Sequence, residues 1–263
     1  MAFKQPLPGA LSPSRLNDFQ ACPRRYQHAS VERIPQPANY ASTKGRFVHH
    51  ILEQLFGLEA GDRTLDAARS FRQSAEEEVL TDEVRADLSM NEELLEQLRR
   101  ESDDIVETYF QMEDPQSIRS EGAELRLNVT IEGTPLLGIL DRLDRDEDGS
   151  LAIIDYKTGS VPDRRWDSQT FANTELYAAL CETHLGERPD TIRLLYVAKG
   201  TVLERRVTDA VVKARVEVAR DAWDRITRYY DDGDFPATPS KQACRFCAYK
   251  ERCRANGVPV VLR

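Results

Sequence analysis

Residues 138–159, GILDRLDRDEDGSLAIIDYKTG, constrain the fold more tightly than any other stretch, because apolar and charged positions alternate at the period of a β-strand on either side of an acidic turn. On the second strand Leu151, Ile153, Asp155 and Lys157 share one face, and Ala152, Ile154 and Tyr156 take the other. Asp155 and Lys157 then stand about 7 Å apart along the strand. On the first strand Ile139, Asp141 and Leu143 share a face. A loop with an odd number of residues centres the hairpin on Asp148 and sets Asp141 opposite Asp155. A two-residue turn at Asp148-Gly149 would slip the pairing and set Asp141 opposite Tyr156.

Two carboxylates converging on one spot repel each other unless a cation lies between them, and hard oxygen donors favour magnesium or manganese. Such an ion lowers the pKa of bound water, and a lysine beside it stabilises charge building on a phosphate. The pattern therefore points to metal-dependent phosphodiester hydrolysis. A short Asp-rich hairpin is also what an ordinary solvated turn looks like, so the weight lies in what accompanies it.

One companion is the segment KGRFVHHILEQLFG, where Val48, Ile51, Leu52, Leu55 and Phe56 recur at helical spacing as an apolar stripe. His49 borders that stripe and Glu53 follows it by four residues, a spacing at which the carboxylate orients the ring. His50 is the competing candidate.

Gly45 to Glu53 reads G-x-x-x-H-x-x-L-E, Gly138 to Arg142 reads G-x-x-D-R, and Asp155 to Lys157 reads D-Y-K. In that order they resemble the PD-(D/E)XK nucleases of the RecB type. Within that group the chain is similar to the stand-alone iron-sulfur members, including CRISPR-associated exonucleases, and to the nuclease domains of AddB-type helicase-nucleases. The resemblance runs from about Leu11 to Cys253. It implies a restriction-endonuclease-like α/β core, a mixed central sheet flanked by helices. It implies His49, Asp141, Asp155 and the Tyr156 carbonyl as ligands of Mg2+ or Mn2+, with Lys157 at the attacking water. Members of the group carry a glutamine four residues before a tyrosine on the helix after the D-x-K strand. Here Asn173 stands four before Tyr177, with the same amide on a shorter stem, and both are candidate DNA contacts.

Of the five cysteines, Cys244, Cys247 and Cys253 form C-x2-C-x5-C. No signal peptide or long apolar run is present, so a cytoplasmic location is expected, where grouped thiols point to metal rather than disulfides. Three thiols want a fourth, and Cys22 is the best candidate. It follows a short helix begun by Ser12 and Pro13 and stopped before Pro23. The same layout in the iron-sulfur RecB-type nucleases favours a structural [4Fe-4S] cluster over zinc, the alternative. Cys181, within an apolar helix, reads as a small buried hydrophobe.

A single nuclease domain over 1–263 is expected: a cysteine-bearing helix (11–27), a helical region with an acidic insertion (44–114), an α/β core (120–231) and a cysteine lobe (232–263). Strands are expected near 122–130, 135–144, 151–157, 192–198 and 202–208, with helices near 168–184 and 209–231. The net charge of −9 argues against a nucleic-acid partner only until its distribution is read. Residues 59–114 hold 18 acidic and 6 basic side chains, whereas the remainder holds 27 and 30. Arg24, Arg25, Arg142, Arg164, Arg165, Lys241, Arg245, Lys250 and Arg252 flank the motifs as candidate phosphate contacts, Arg142 among the closest.

The leading expectation is a metal-dependent DNA exonuclease acting on single-stranded or frayed ends in repair, recombination or foreign-DNA processing. No G-x-x-x-x-G-K-[ST] loop is present, so unwinding would come from a helicase or repair partner, and no membrane role is expected. The rivals are a DNA-binding module of the same fold without chemistry and an iron-sulfur redox sensor.

Overall fold

The computed structural model describes residue 3 and residues 5–163 and 170–261; Arg164 and Arg165 lie outside them. It divides into two compact units. One gathers residues 1–37, 128–138 and 210–263, and the other spans 38–127 and 139–209.

The described strands form one sheet in the order β1-β2-β3-β4-β5: β1 Ser120–Ile131, β2 Thr134–Arg145, β3 Leu151–Tyr156, β4 Thr191–Tyr196 and β5 Thr201–Arg206. Each lies within two residues of its expected position. β2 and β3 are antiparallel, β3 and β4 parallel, and β4 and β5 antiparallel, so the sheet is mixed. β1 and β2 turn at Glu132-Gly133, where both residues have positive φ (48° and 79°), the geometry a two-residue hairpin demands.

The helices are α1 Pro13–Ala21, α2 Pro23–Tyr26, α3 Tyr40–Phe56, α4 Leu65–Ser70, α5 Arg72–Val79, α6 Asp82–Asp87, α7 Glu92–Met112, α8 Ala172–Leu185, α9 Asp209–Asp232, α10 Lys241–Arg245 and α11 Lys250–Ala255. The parallel step from β3 to β4 needs a crossover, and α8 supplies it, packed on β3.

In the 38–127/139–209 unit, α3 begins at Asn39, whose side chain accepts from the Ser42 N–H, and buries its predicted stripe of Val48, Ile51, Leu52, Leu55 and Phe56. That stripe joins Leu98, Val106 and Tyr109 of α7 and Ala152, Ile154 and Tyr156 of β3 in one core. Leu151 and Ile153, on the other face of β3, are buried too, as a central strand requires. The acidic segment is helical, and much of its charge is paired: Arg99 meets Glu76 and Glu96, and Lys44 meets Glu101.

In the other unit, Ser12 caps α1 by accepting from the Arg15 N–H, and the Cys22 N–H closes the helix on the Asp18 carbonyl. Leu11 lies parallel to Leu136, with backbone hydrogen bonds from Leu11 N to Pro135 O and from Leu137 N to Leu11 O. Phe19, Tyr26, Tyr229 and Phe235 pack ring against ring as its aromatic core.

Candidate active site

The pairing of β2 with β3 decides where the aspartates meet. Its register runs from Arg145 opposite Leu151 to Arg142 opposite Ile154, a hairpin centred on Asp148. One step further sets Asp141 opposite Asp155, as the odd-length loop predicts. There the Asp141 carboxylate enters the backbone ladder: its Oδ2 accepts from the Tyr156 N–H at 2.7 Å.

α3 delivers His49 to the same place. Its Nδ1 lies 3.3 Å from Asp141 Oδ1, and its Nε2 donates to the Tyr156 carbonyl at 3.1 Å. Both ring nitrogens are thus engaged, so Glu53 is not the group that orients the imidazole. His50 turns away to Ser74 on α5, at 3.1 Å. The approach of α3 depends on Gly45, where a Cβ would come 3.1 Å from Thr158 Oγ1, just beyond Lys157. Lys157 itself pairs with Asp155 Oδ2.

Charges set the protonation of this group. Burial works against the Lys157 ammonium, but Asp155 outweighs it and holds the lysine protonated. Burial raises the Asp155 carboxyl, Lys157 draws it down and Asp141 pushes it up, for a net rise. His49 is raised as well: burial disfavours its charge, and the Asp141 hydrogen bond and both aspartates more than compensate.

Sequence reasoning missed Glu124. Alternation along β1 groups Ala123, Leu125 and Leu127 and consigns Glu124 to the opposite, solvent-side face. In the structure Glu124 has φ of +47°, a left-handed kink inside the strand that breaks the alternation and re-aims its side chain. Its carboxylate joins His49 and Asp141, with one donor atom from each within 4.8 Å of the others. Burial, Asp141 and Glu53 push its pKa up to about 7, with His49 pulling the other way. Glu53 and Glu124 line a cleft of about 440 Å³ beside His49. No sequence signal distinguishes Glu124 from any other strand carboxylate.

Of the expected DNA contacts, Tyr177 meets the Ile139 backbone through its hydroxyl, which burial and the charges of Asp155, Asp141 and Glu124 raise. Asn173 sits half-buried one turn earlier on α8. Arg142 is a correction. It is wholly buried, its guanidinium 4.2 Å over Phe56, and it donates to Asp144, Glu113, Tyr109 and the Tyr156 hydroxyl. It can touch no phosphate, and instead fixes the Tyr156 ring beneath the site. The strand period points it away from Asp141, into the core.

In the other unit Cys22, Cys244, Cys247 and Cys253 line one recess with His28 and Tyr249, all with free thiols. Burial and the other three cysteines raise the Cys253 thiol. Cys181 is buried in α8, as expected, and burial pushes its thiol up to about 12. Arg24 and Arg25 are taken by Asp234 and Asp18, each at 2.8 Å. Among the described residues, no helix is long and apolar enough to cross a membrane.

Three comparisons bear on this geometry. The family model of the PD-(D/E)XK nuclease superfamily matches residues 10–254. The B-type component of the ATP-dependent helicase/deoxyribonuclease of Streptococcus agalactiae, from serotypes Ia, V and III, is 29% identical over 135 residues. That match spans 49% of this chain and 12% of the relative. A crystal structure of a candidate exonuclease from Eubacterium rectale superposes with a TM-score of 0.59 at 14% identity, covering 96% of this chain and 91% of that one.

Proposed function

The chain belongs to the PD-(D/E)XK nuclease superfamily, and from that membership we propose a metal-dependent deoxyribonuclease, an exonuclease that prefers single-stranded or frayed DNA ends. One observation carries the proposal: His49, Asp141, Asp155, Lys157 and both backbone groups of Tyr156 converge where the end of β3 meets the interior of β2. The donors are an imidazole, carboxylates and a carbonyl oxygen, and they suit Mg2+ or Mn2+. His49, Asp141, Asp155 and the Tyr156 carbonyl would hold the ion, and Glu124 would join them beside His49 and Asp141, with one donor atom of each of these three within 4.8 Å of the others.

When bound, the ion supplies Lewis acidity toward a phosphoryl oxygen and toward water. The chain's own residues do the rest. Asp141 ties its carboxylate to the Tyr156 amide, so its second oxygen has a fixed direction. Lys157 stays charged beside Asp155 and places a cation where negative charge accumulates on the phosphate. Tyr177, in the electrostatic field of the carboxylates, is a candidate contact for the substrate strand, with Asn173 a turn away.

We further propose that Cys22, Cys244, Cys247 and Cys253 hold a structural [4Fe-4S] cluster, with zinc as the alternative. Four thiolate donors around one recess fit either. The Streptococcus agalactiae relatives are components of a helicase/deoxyribonuclease, and a helicase or repair partner that opens DNA ends would suit this chain as well.

Purified protein with manganese or magnesium should degrade end-labelled single-stranded DNA and spare a circular substrate without ends. Asp155→Ala and Lys157→Ala should each lower the rate by about a hundredfold or more. Undiminished cleavage in both variants would overturn the assignment, and cutting of the circle would make it an endonuclease. DNA binding without metal-dependent cleavage would favour a non-catalytic module.

A further inference from the structure

Phe246 is 82% exposed, while the next most exposed large hydrophobic among the described residues, Leu185, is at 46%. It is held firmly in that position. It is the residue at which α10 ends, the helix begins on a Ser240 cap that accepts from the Ala243 N–H, and the Cys247 N–H closes back on the Cys244 carbonyl. Two residues beyond Cys247, Tyr249 is buried against His28 and donates to the Ile34 carbonyl at 3.0 Å. Phe246 is therefore presented at the tip of an anchored turn rather than left loose.

The surroundings are basic. Residues 241–254 carry Lys241, Arg245, Lys250, Arg252 and Arg254 against the single acid Glu251. The Arg245 guanidinium lies 5.0 Å from the centre of the Phe246 ring and covers one of its faces. At 82% exposure the ring remains largely open to solvent. An aromatic face backed by a cation, in a field that attracts phosphates, is complementary to an unpaired base on a polyanionic strand. Away from its ends a duplex offers no such base, because its bases are paired and stacked within the helix.

We propose that Phe246 and Arg245 form a stacking tip for single-stranded DNA, a site separate from the metal-ligand group of the other unit. The proposal rests on the DNA-nuclease reading and extends it by locating a determinant of single-strand preference. Phe246 stacks on one base, Arg245 supports the ring and neutralises a phosphate, and the exposed Lys241 adds charge along the strand.

Binding of labelled oligothymidylate and of a blunt-ended duplex hairpin by the full chain tests it, measured by fluorescence anisotropy in EDTA so that no strand is cut. Phe246→Ala should weaken the single strand about tenfold and leave the duplex nearly unchanged. Phe246→Trp should bind at least as well as the native protein. Phe246→Leu, which keeps apolar bulk and loses the ring, should bind as weakly as the alanine variant. Arg245→Ala should also reduce the slope of log affinity against log salt by about one. Native affinity in Phe246→Ala or Phe246→Leu would overturn the tip, as would equal losses on single strand and duplex. If those results came with intact cleavage in the native protein, only the tip would fall; a native protein that neither binds nor cuts DNA would overturn the nuclease reading as well.

Discussion

Glu124 and His49 hold their protons more tightly in the metal-free protein than in water, Glu124 up to about 7 and His49 above its usual value. Both folded values lie above those of the unfolded chain, so the native state binds more protons, and their stabilising contribution is lost as pH rises. Melting temperatures of metal-free protein should fall between about pH 5 and about pH 8, and Glu124→Gln should flatten that fall. An equally steep fall in the variant would show that Glu124 plays no part. Metal must displace these protons, so Mn2+ affinity should increase through the same range, with proton release measurable by titration calorimetry in buffers of different ionisation heat. Arg142 makes a different prediction. Its removal strands Asp144 and Glu113 without their buried partner, and Arg142→Ala should cost about 3–5 kcal/mol in urea unfolding. Asp141 and Asp155 were legible in the sequence because each lies on a strand whose period fixes its face, whereas His49 and Lys157 were singled out by the order of motifs that resembles the nuclease family. Glu124 was not, because its position comes from a departure from that period.

At the scale of elements, the β2–β3 hairpin and α3 are locally determined. An odd loop fixes the register around Asp148, and a helical stripe with an Asn39 cap fixes which edge of α3 carries His49. Gly45 tests how closely those two must fit. In a helix interior, alanine is favoured over glycine by about 1 kcal/mol, while the added Cβ meets Thr158 at 3.1 Å. Gly45→Ala should therefore melt no lower than the native protein yet cleave severalfold more slowly, because the segment after Lys157 has to shift. A variant that loses stability and activity together would mean that the contact serves packing rather than the site. The kink in β1 belongs to the same class of feature, a local strain that aims one side chain, and propensity scales carry no trace of it.

For the whole molecule, the order of strands and helices followed from turn and period signals along the chain. The division into units did not, because one unit is assembled from residues 1–37, 128–138 and 210–263, which only tertiary pairing such as Leu11 with Leu136 draws together. Cys22, Cys244, Cys247 and Cys253 belong to that unit, 222 positions separating Cys22 from Cys244. Protein purified without oxygen should be brown with broad visible absorbance, and Cys22→Ser should bleach it; a colourless protein carrying one zinc per chain would establish the alternative. The separation also orders events during synthesis. At about 5–20 residues per second, Cys22 leaves the ribosome roughly ten to forty seconds before Cys244 does, and all of 38–209 is translated in the interval. The chain thus has time to shape residues 38–209 while Cys22 is still an unpaired thiol, and the cluster proposed for the recess would be loaded only once Cys244, Cys247 and Cys253 had emerged.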